Sequence, residues 1–568
     1  MPTTGIAAAL GREQRTDLGE RRTAMAGVTE DIEIASHRLA PALPDPPKPQ
    51  LSPLRVLVLL LLIAGAAFGV WKLVTQSNAN AFAKSTAAPV YAPYVDVTLT
   101  PTYQFQLPSE NPVSSAYLGF IVSDSAAPCT PSWGNYYTLA QADQTLDLGA
   151  RIAQLRRQGG NAMISFGGQA NTELAVGCAN PAQLRAAYLA PIQRYHSTTV
   201  DLDIEGAALS DQAANQRRAT AIAAIQRLLA ARHTPLHVWL TLPVTSRGLT
   251  SQDIAVIDSM LAARVTLAGI NVMAMDYPVG EGAERNLFAT IRSSLYATHS
   301  QIQSLWRLHG LTGTPGAAWE HLGVTVMLGV NDITDEHFTV QDARLLTRFA
   351  NKQGIPRVSA WSLNRDSECG SAFPITGIVS NTCSGVLQEP LQFTHIFSGL
   401  RGTTTARVQP TPTLQSQTTS TSQTSDNPAT SPYPIWQPVA AYVQGYKVVW
   451  QGQIYEANWW SQGTAPGSVN SSSSTSSPWL LIGPVPSGSH RPRLILQVSA
   501  KQPTWSPKTV YRQGQKVSFD GLPYEARYYT LGDQPINALP GDPDSPWTPL
   551  FTYPGEPADT GIGSGEGQ

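Results

Sequence analysis

The sequence predicts an α/β fold over residues 89–399, and two observations predict it. Short apolar runs of strand length alternate there with helix-length stretches, and eight such runs fall within roughly 300 residues. Eight strands with intervening helices is the count of a (β/α)8 TIM barrel, although an open doubly wound sheet would show the same periodicity. Motifs along the chain decide between the two.

In chain order the expected strands are 94–98, 117–123, 162–166, 199–204, 237–242, 269–275, 324–328 and 358–363. Helices are expected over 139–157, 182–195, 211–231 and 340–353. Residues 1–52 are polar, Pro-rich towards their end and without apolar period, which predicts a disordered cytoplasmic tail. Residues 53–75 are expected to form a transmembrane signal-anchor, with an apolar run from Val56 to Trp71 set between Arg55 and Lys72. Its sixteen residues rise about 24 Å as a helix; Leu73 and Val74, with Lys72 snorkelling, extend it to spanning length. Arg21, Arg22, Arg38, Lys48 and Arg55 precede the run, whereas only Lys72 and Lys84 follow closely. The positive-inside rule then puts the rest of the chain outside a cell membrane crossed once. The alternative is cleavage near Ala81, since Ala79-Asn80-Ala81 has the form of a signal-peptidase site, giving a secreted protein.

After the barrel, residues 400–434 are rich in Thr, Ser, Gln and Pro, the composition of an extended linker. An internal repeat follows. Trp436, Tyr442, Gly445, Val448, Gly452, Tyr455, Glu456, Ala457, Trp459, Trp460, Gly463 and Pro466 recur 69 residues later, as Trp505, Tyr511, Gly514, Val517, Gly521, Tyr524, Glu525, Ala526, Tyr528, Tyr529, Gly532 and Pro535. Each copy closes on Ser-Pro-Trp, at Trp479 and Trp547, so two small antiparallel β modules are expected at 435–484 and 503–552. Residues 553–568 read as a disordered tail.

Val200-Asp201-Leu202-Asp203-Ile204-Glu205 alternates apolar and acidic residues, placing three carboxylates on one strand face and three aliphatic side chains on the other. Crowded carboxylates raise one another's pKa, and a glutamate kept protonated at a strand tip suits a general acid. A solvated edge strand or a metal site are the plainer readings of the same pattern.

The stretch resembles the Asp-x-Asp-x-Glu signature of family 18 glycoside hydrolases, and three further motifs carry the resemblance. Ser165-Phe166-Gly167-Gly168 is similar to the family's Ser-x-Gly-Gly, Met273-Ala274-Met275-Asp276-Tyr277 to its sixth-strand motif, and Trp361 to the eighth-strand tryptophan that floors the sugar site. The chain departs from the family in two places. Thr198-Thr199 stands where an Asp-Gly pair is usual, and the sixth-strand tyrosine is displaced by one residue to Tyr277. The resemblance implies a barrel and substrate-assisted retaining hydrolysis of chitin or related polymers, without metal or organic cofactor. Glu205 would be the acid and then the base, Asp203 would orient the substrate's acetamido group, and Asp201 would hydrogen-bond Asp203 and share its proton. Met275, Asp276, Tyr277 and Trp361 would contact substrate. Asp96 and the glycines Gly167 and Gly168 read as structural, the glycines giving backbone clearance.

The repeats resemble short chitin-binding modules of carbohydrate-binding families 5 and 12. The pairs Trp459–Trp460 and Tyr528–Tyr529 would stack on sugar faces, while Trp436 and Tyr455 suit a small core. Four cysteines, Cys129, Cys178, Cys369 and Cys383, lack metal-type spacing and predict two disulfides; joining 129 with 178 and 369 with 383 would link neighbouring loops, with other pairings open. With 38 basic and 40 acidic residues, the charge balance offers nothing to nucleic acid. A monomeric chitinase is expected. The rivals are an endo-β-N-acetylglucosaminidase acting on glycans or peptidoglycan, and a non-catalytic chitin-binding surface protein.

Overall fold

The computed structural model describes residues 57–58, 61–65, 89–281, 286–311, 317–370, 379–403, 426–438, 440–467, 477–490, 493–499, 501–535 and 545–552. The chain divides into two compact units, Met1–Ala67 and Phe68–Gln568. In the first, residues 57–58 and 61–65 are helical and expose Leu57, Val58, Leu61, Leu62 and Ile63. Among the described residues no helix is long and apolar enough to cross a membrane. Most of the expected anchor, both expected disordered tails and the cleavage motif at 79–81 lie outside the described residues.

The second unit contains the expected barrel. Its wall is β1 (Val90–Tyr91), β2 (Tyr94–Asp96), β3 (Ser115–Ser123), β4 (Asn161–Gly167), β5 (Thr199–Asp203), β6 (His237–Pro243), β7 (Leu267–Met273), β8 (Leu322–Met327) and β9 (Arg357–Trp361). All pair in parallel in chain order from β2 to β9. β1 and β2 are halves of one stave, separated at Pro93, which has no N–H for the ladder. β1 pairs with β9 and β2 with β3, so this stave closes the sheet into a cylinder. Closure excludes the open doubly wound sheet.

Parallel neighbours need crossovers, and the helices supply them. They are α1 (Leu148–Arg157), α2 (Pro181–Arg194), α3 (Gln212–Ala230), α4 (Ser251–Ala262), α5 (Leu287–Leu308), α6 (Val340–Gln353) and α7 (Gln392–Phe397). Local sequence starts them: Asn180 caps α2 ahead of Pro181, and Thr250 with Asp253 and Thr339 with Asp342 form capping boxes on α4 and α6. The single helix expected over 139–157 is instead two, Leu139–Thr145 and α1, because Asp147 between them is left-handed with φ 51°.

Each repeat is a three-stranded antiparallel sheet. The first uses β10 (Lys447–Trp450), β11 (Gln453–Ala457) and β12 (Trp479–Pro484), the second β13 (Lys516–Phe519), β14 (Leu522–Ala526) and β15 (Trp547–Pro549). The opening hairpins turn on Gln451-Gly452 and Asp520-Gly521, all four residues at positive φ, as a two-residue type I′ turn requires. Tyr442, Val448, Tyr455 and Trp479 fill the first core, with Trp436 packed against it; Tyr511, Val517, Tyr524 and Trp547 fill the second.

The first module is packed on the barrel. Tyr433, Val449, Ile454, Leu480 and Ile482 form one buried cluster with Leu107 and Ala150. Beside it the Asp147 carboxylate accepts the Tyr433 hydroxyl at 2.5 Å and pairs with the Lys447 ammonium. The stretch expected as linker therefore ends early: residues 404–425 lie outside the described residues, while Asp426 accepts the Gln451 and Gly452 amides and Tyr433 is buried. The second module lacks most of this face. Ser518, Pro523 and Thr548 stand where the first has Val449, Ile454 and Leu480, and Lys516 pairs with Glu525 of its own sheet at 3.5 Å.

Candidate active site

The alternation read from the sequence puts Val200, Leu202 and Ile204 among the buried apolar side chains between sheet and helices. Asp201 and Asp203 face the barrel interior. Asp201 is fully buried. Its Oδ2 accepts the Tyr94 and Ser165 hydroxyls, each at 2.7 Å, and its Oδ1 accepts Thr241 Oγ1 at 2.6 Å and Arg357 Nη1 at 2.7 Å. Arg357 is held in turn: Nη2 donates to the Tyr94 oxygen at 2.8 Å, Nε to Ser359 at 3.0 Å, and its guanidinium lies 3.8 Å from the Tyr117 ring centre.

One pleat further along, Asp203 is 4% exposed and its Oδ1 is buried without a hydrogen-bond partner. Gly167 and Gly168 give it room: a Cβ on Gly167 would sit 2.0 Å from the Asp203 carbonyl oxygen, which accepts the Gly168 amide at 3.0 Å. This is the clearance expected of the two glycines.

Beyond the strand, Glu205 reaches a cleft of roughly 670 Å³. Asp203, Met275, Asp276, Asp332 and Trp361 also line it, and Tyr136 stands at its edge, 74% exposed. Trp361 stacks on Phe120 with centroids 5.4 Å apart and planes 27° apart, making a broad aromatic floor.

Burial and like charges set the proton affinities. Burial raises the Glu205 carboxyl to about 7, with Asp276 and Asp332 adding to the shift. Asp203 is raised well above the usual carboxylate range by burial, then by Glu205 and Asp201, with Arg357 opposing. Burial also raises Asp276, whose Oδ1 accepts the Ile333 amide at 2.9 Å. A protonated group on Glu205 near neutrality, beside a second carboxyl and over an aromatic floor, is equipped to protonate a glycosidic oxygen.

Most of the expected site residues meet here: Asp201, Asp203, Glu205, Met275, Asp276 and Trp361. Tyr277 does not. It is fully buried, with its hydroxyl 3.0 Å from Ser294 Oγ, because positive φ at Asp276 breaks the alternation that would have aimed it inward. The expected Asp201–Asp203 hydrogen bond is replaced by the four donors above. Asp96 accepts the Thr98 amide at 2.9 Å and also lines the cleft.

Four contributors were missing from the sequence reading: Tyr94, Thr241, Asp332 and Arg357. For Arg357 a signal existed, since positions 357, 359 and 361 share a strand face with the inward-pointing Trp361. Elsewhere, Trp459, Trp460, Tyr528 and Tyr529 are exposed by 43, 47, 48 and 65%, as adjacent pairs on each module. Cys129 is bonded to Cys178 and Cys369 to Cys383. Among the described residues no group of three or more His, Cys, Asp or Glu side chains is arranged to hold a metal ion.

Comparison with known proteins finds similarity over about 300 residues. The chain is 33% identical over 304 residues to a probable bifunctional chitinase/lysozyme of Escherichia coli, covering 52% of this chain and 33% of that protein. It is 32% identical over 302 residues to endochitinase 11 of Metarhizium anisopliae, covering 51% of this chain and 55% of that one. The chain thus spans about a third and about half of the curated relatives it matches. Among solved structures, active domain 2 of a chitinase from Pyrococcus furiosus superposes with a TM-score of 0.47 at 25% identity, covering 55% of this chain and 96% of that one. No family profile matches the chain.

Proposed function

We propose that the protein is a family 18 chitinase that hydrolyses β-1,4-linked N-acetylglucosamine polymers by substrate-assisted retaining catalysis. The observation that carries this reading is Glu205, raised to about 7, opening beside Asp203 into a cleft floored by Trp361. Similarity at 32–33% identity to two proteins named as chitinases supports it. Glu205 protonates the glycosidic oxygen, the substrate's acetamido oxygen attacks the anomeric carbon, and Asp203 orients the acetamido N–H. Water then opens the intermediate with Glu205 as base. Met275 and Asp276 line the sugar site, and the exposed aromatic pairs of the two modules stack on chitin. Two disulfides suit an extracytoplasmic setting, and a tether through residues 53–75 would keep the catalytic region at the cell surface.

Product analysis on the N-acetylglucosamine hexamer tests the reading, with peptidoglycan and N-glycans as parallel substrates. Products of retained anomeric configuration are expected from the hexamer, and none from the fully deacetylated hexamer, which lacks the nucleophile. Cleavage confined to peptidoglycan or N-glycans would move the assignment to an endo-β-N-acetylglucosaminidase. Chitin binding with no cleavage of any of them would leave a non-catalytic surface protein.

A further inference from the structure

The four donors on Asp201 have a consequence for the proton on Asp203, resting on the roles proposed above for Asp203 and Glu205. Both Asp201 oxygens are taken: Tyr94 and Ser165 occupy one, Thr241 and Arg357 the other. Thr241 cannot easily turn away, since its oxygen also receives the Asn271 amide at 3.0 Å. Arg357 cannot leave, being 3% exposed with Asp201, Tyr94 and Ser359 all bonded to its nitrogens. Asp203 Oδ1 meanwhile is buried with no partner. A buried polar atom without a partner is costly, and the carboxyl besides Asp201 that acts on Asp203 is that of Glu205, which lines the same cleft just beyond β5.

We propose that Arg357 is a positioning residue: by holding Asp201 in a closed set of hydrogen bonds, it leaves Glu205 as the carboxyl with which Asp203 shares its proton. The protons then balance within the pair. As the Glu205 proton passes to the glycosidic oxygen, the C1–O electron pair leaves with that oxygen and the acetamido oxygen bonds to C1. The Asp203 proton is then shared with the vacated Glu205 carboxylate, so Asp203 carries part of the negative charge and accepts the acetamido N–H while Glu205 remains able to take a proton. When water attacks C1, its proton passes to Glu205, the bond from C1 to the acetamido oxygen breaks and the ring of the intermediate opens.

The charged and titratable groups around the pair are Asp201 on its own strand, Tyr94 from the first stave, Asp276 and Asp332 beyond β7 and β8, and Arg357 on β9, with Tyr117 against Arg357 and Asp96 lining the same cleft. The adjoining strands present Ser165 on β4 and Thr241 on β6. The basic limb of kcat/KM therefore reports on Arg357.

The test is a double-mutant cycle read as pH profiles on N-acetylglucosamine oligomers, with thermal melts to verify folding. Arg357→Met should move the basic limb up by at least half a unit and Asp201→Asn should move it down. The double variant should bring the limb back to within half a unit of wild type and exceed the Asp201→Asn rate at least tenfold. Arg357→Lys, which keeps the charge but not the planar fork, should keep the limb in place while lowering kcat. Folded variants whose rates fall additively with unmoved limbs would overturn the proposal. If Arg357→Met does not fold, the double variant decides: a limb displaced by a unit, or a folded but inactive double, also overturns it. Absence of wild-type turnover would instead strike the chitinase reading.

Discussion

Gly483 of β12 lies directly against Ala150 of α1, so close that a Cβ at 483 would stand 2.2 Å from the Ala150 carbonyl oxygen. Only a residue without a side chain permits that approach, and the equivalent position in the second module is Phe551. Gly483→Val should therefore push the first module off the barrel at a cost of about 1–3 kcal/mol, the usual range for overpacking. Thermal unfolding should show a lower first transition, and limited proteolysis should cut within residues 404–425 faster than in wild type. An unchanged melt and cleavage rate would mean the contact contributes nothing.

Truncation should divide at the same interface. Removing everything after Thr403, which keeps core residue Leu400 and the Thr403 bond to Tyr91, uncovers Leu107 and Ala150 and leaves Asp147 without Lys447 and Tyr433, so the barrel alone should melt at lower temperature. Ending the chain at His490 deletes only the second module, and the melt should stay near that of the full chain. Equal destabilisation by both truncations would contradict the docked arrangement.

Glu205→Gln should lower chitin-oligomer turnover by about 10²–10⁴-fold, the ordinary contribution of a general acid, with binding retained. Asp203→Asn should also be severely slowed, since the acetamido group loses its orienting charge. Initial rates and oligomer binding by isothermal calorimetry separate the two effects. Wild-type turnover in the glutamine variant would remove Glu205 from the mechanism.

The raised Glu205 affinity also predicts a stability profile. The carboxyl titrates near 4.5 when unfolded and near 7 when folded, so the native state binds more protons between those values and stability falls as pH rises through that window. Above pH 7 the loss is complete. There Glu205→Gln should be more stable than wild type by roughly 1–3 kcal/mol, with the gap closing below pH 4.5. Melts at pH 4 and pH 8 measure it directly; a gap of equal size at both would show that ionisation is not its cause.

For the modules, Trp459→Ala with Trp460→Ala should weaken binding to insoluble chitin more than Tyr528→Ala with Tyr529→Ala, because indole rings offer the larger stacking face. Hydrolysis of soluble oligomers should change little in either. Pull-down on chitin beads beside oligomer assays provides both readings, and no loss of bead binding from either pair would exclude the exposed aromatics as the contact.

Much of this was legible in the sequence because the signals were local. The acidic strand fixed which carboxylates share a face, the eight apolar runs lie within a few residues of the eight staves, and three of the four expected helices lie within a residue of those observed. The illegible parts depend on contacts between distant segments. Tyr277 left the site through the backbone turn at Asp276, which no residue type announces. Arg357 met Asp201 across 156 positions of chain, and the Asp147 carboxylate broke a helix where its partners lie 286 and 300 residues away. Periodicity describes one segment at a time, whereas these depend on which segments become neighbours.

The unequal fates of the two repeats bear on how the molecule stands on its substrate. The two repeats share one architecture, and one of them is packed on the barrel. Its aromatic pair is held against the barrel, so if Trp459 and Trp460 grip a surface as proposed above, the cleft would meet that surface in one fixed attitude. The other copy, without most of that docking face, would then govern only how long the molecule stays. Footing and dwell time would thus belong to separate parts of one chain, and either could be altered without disturbing the other.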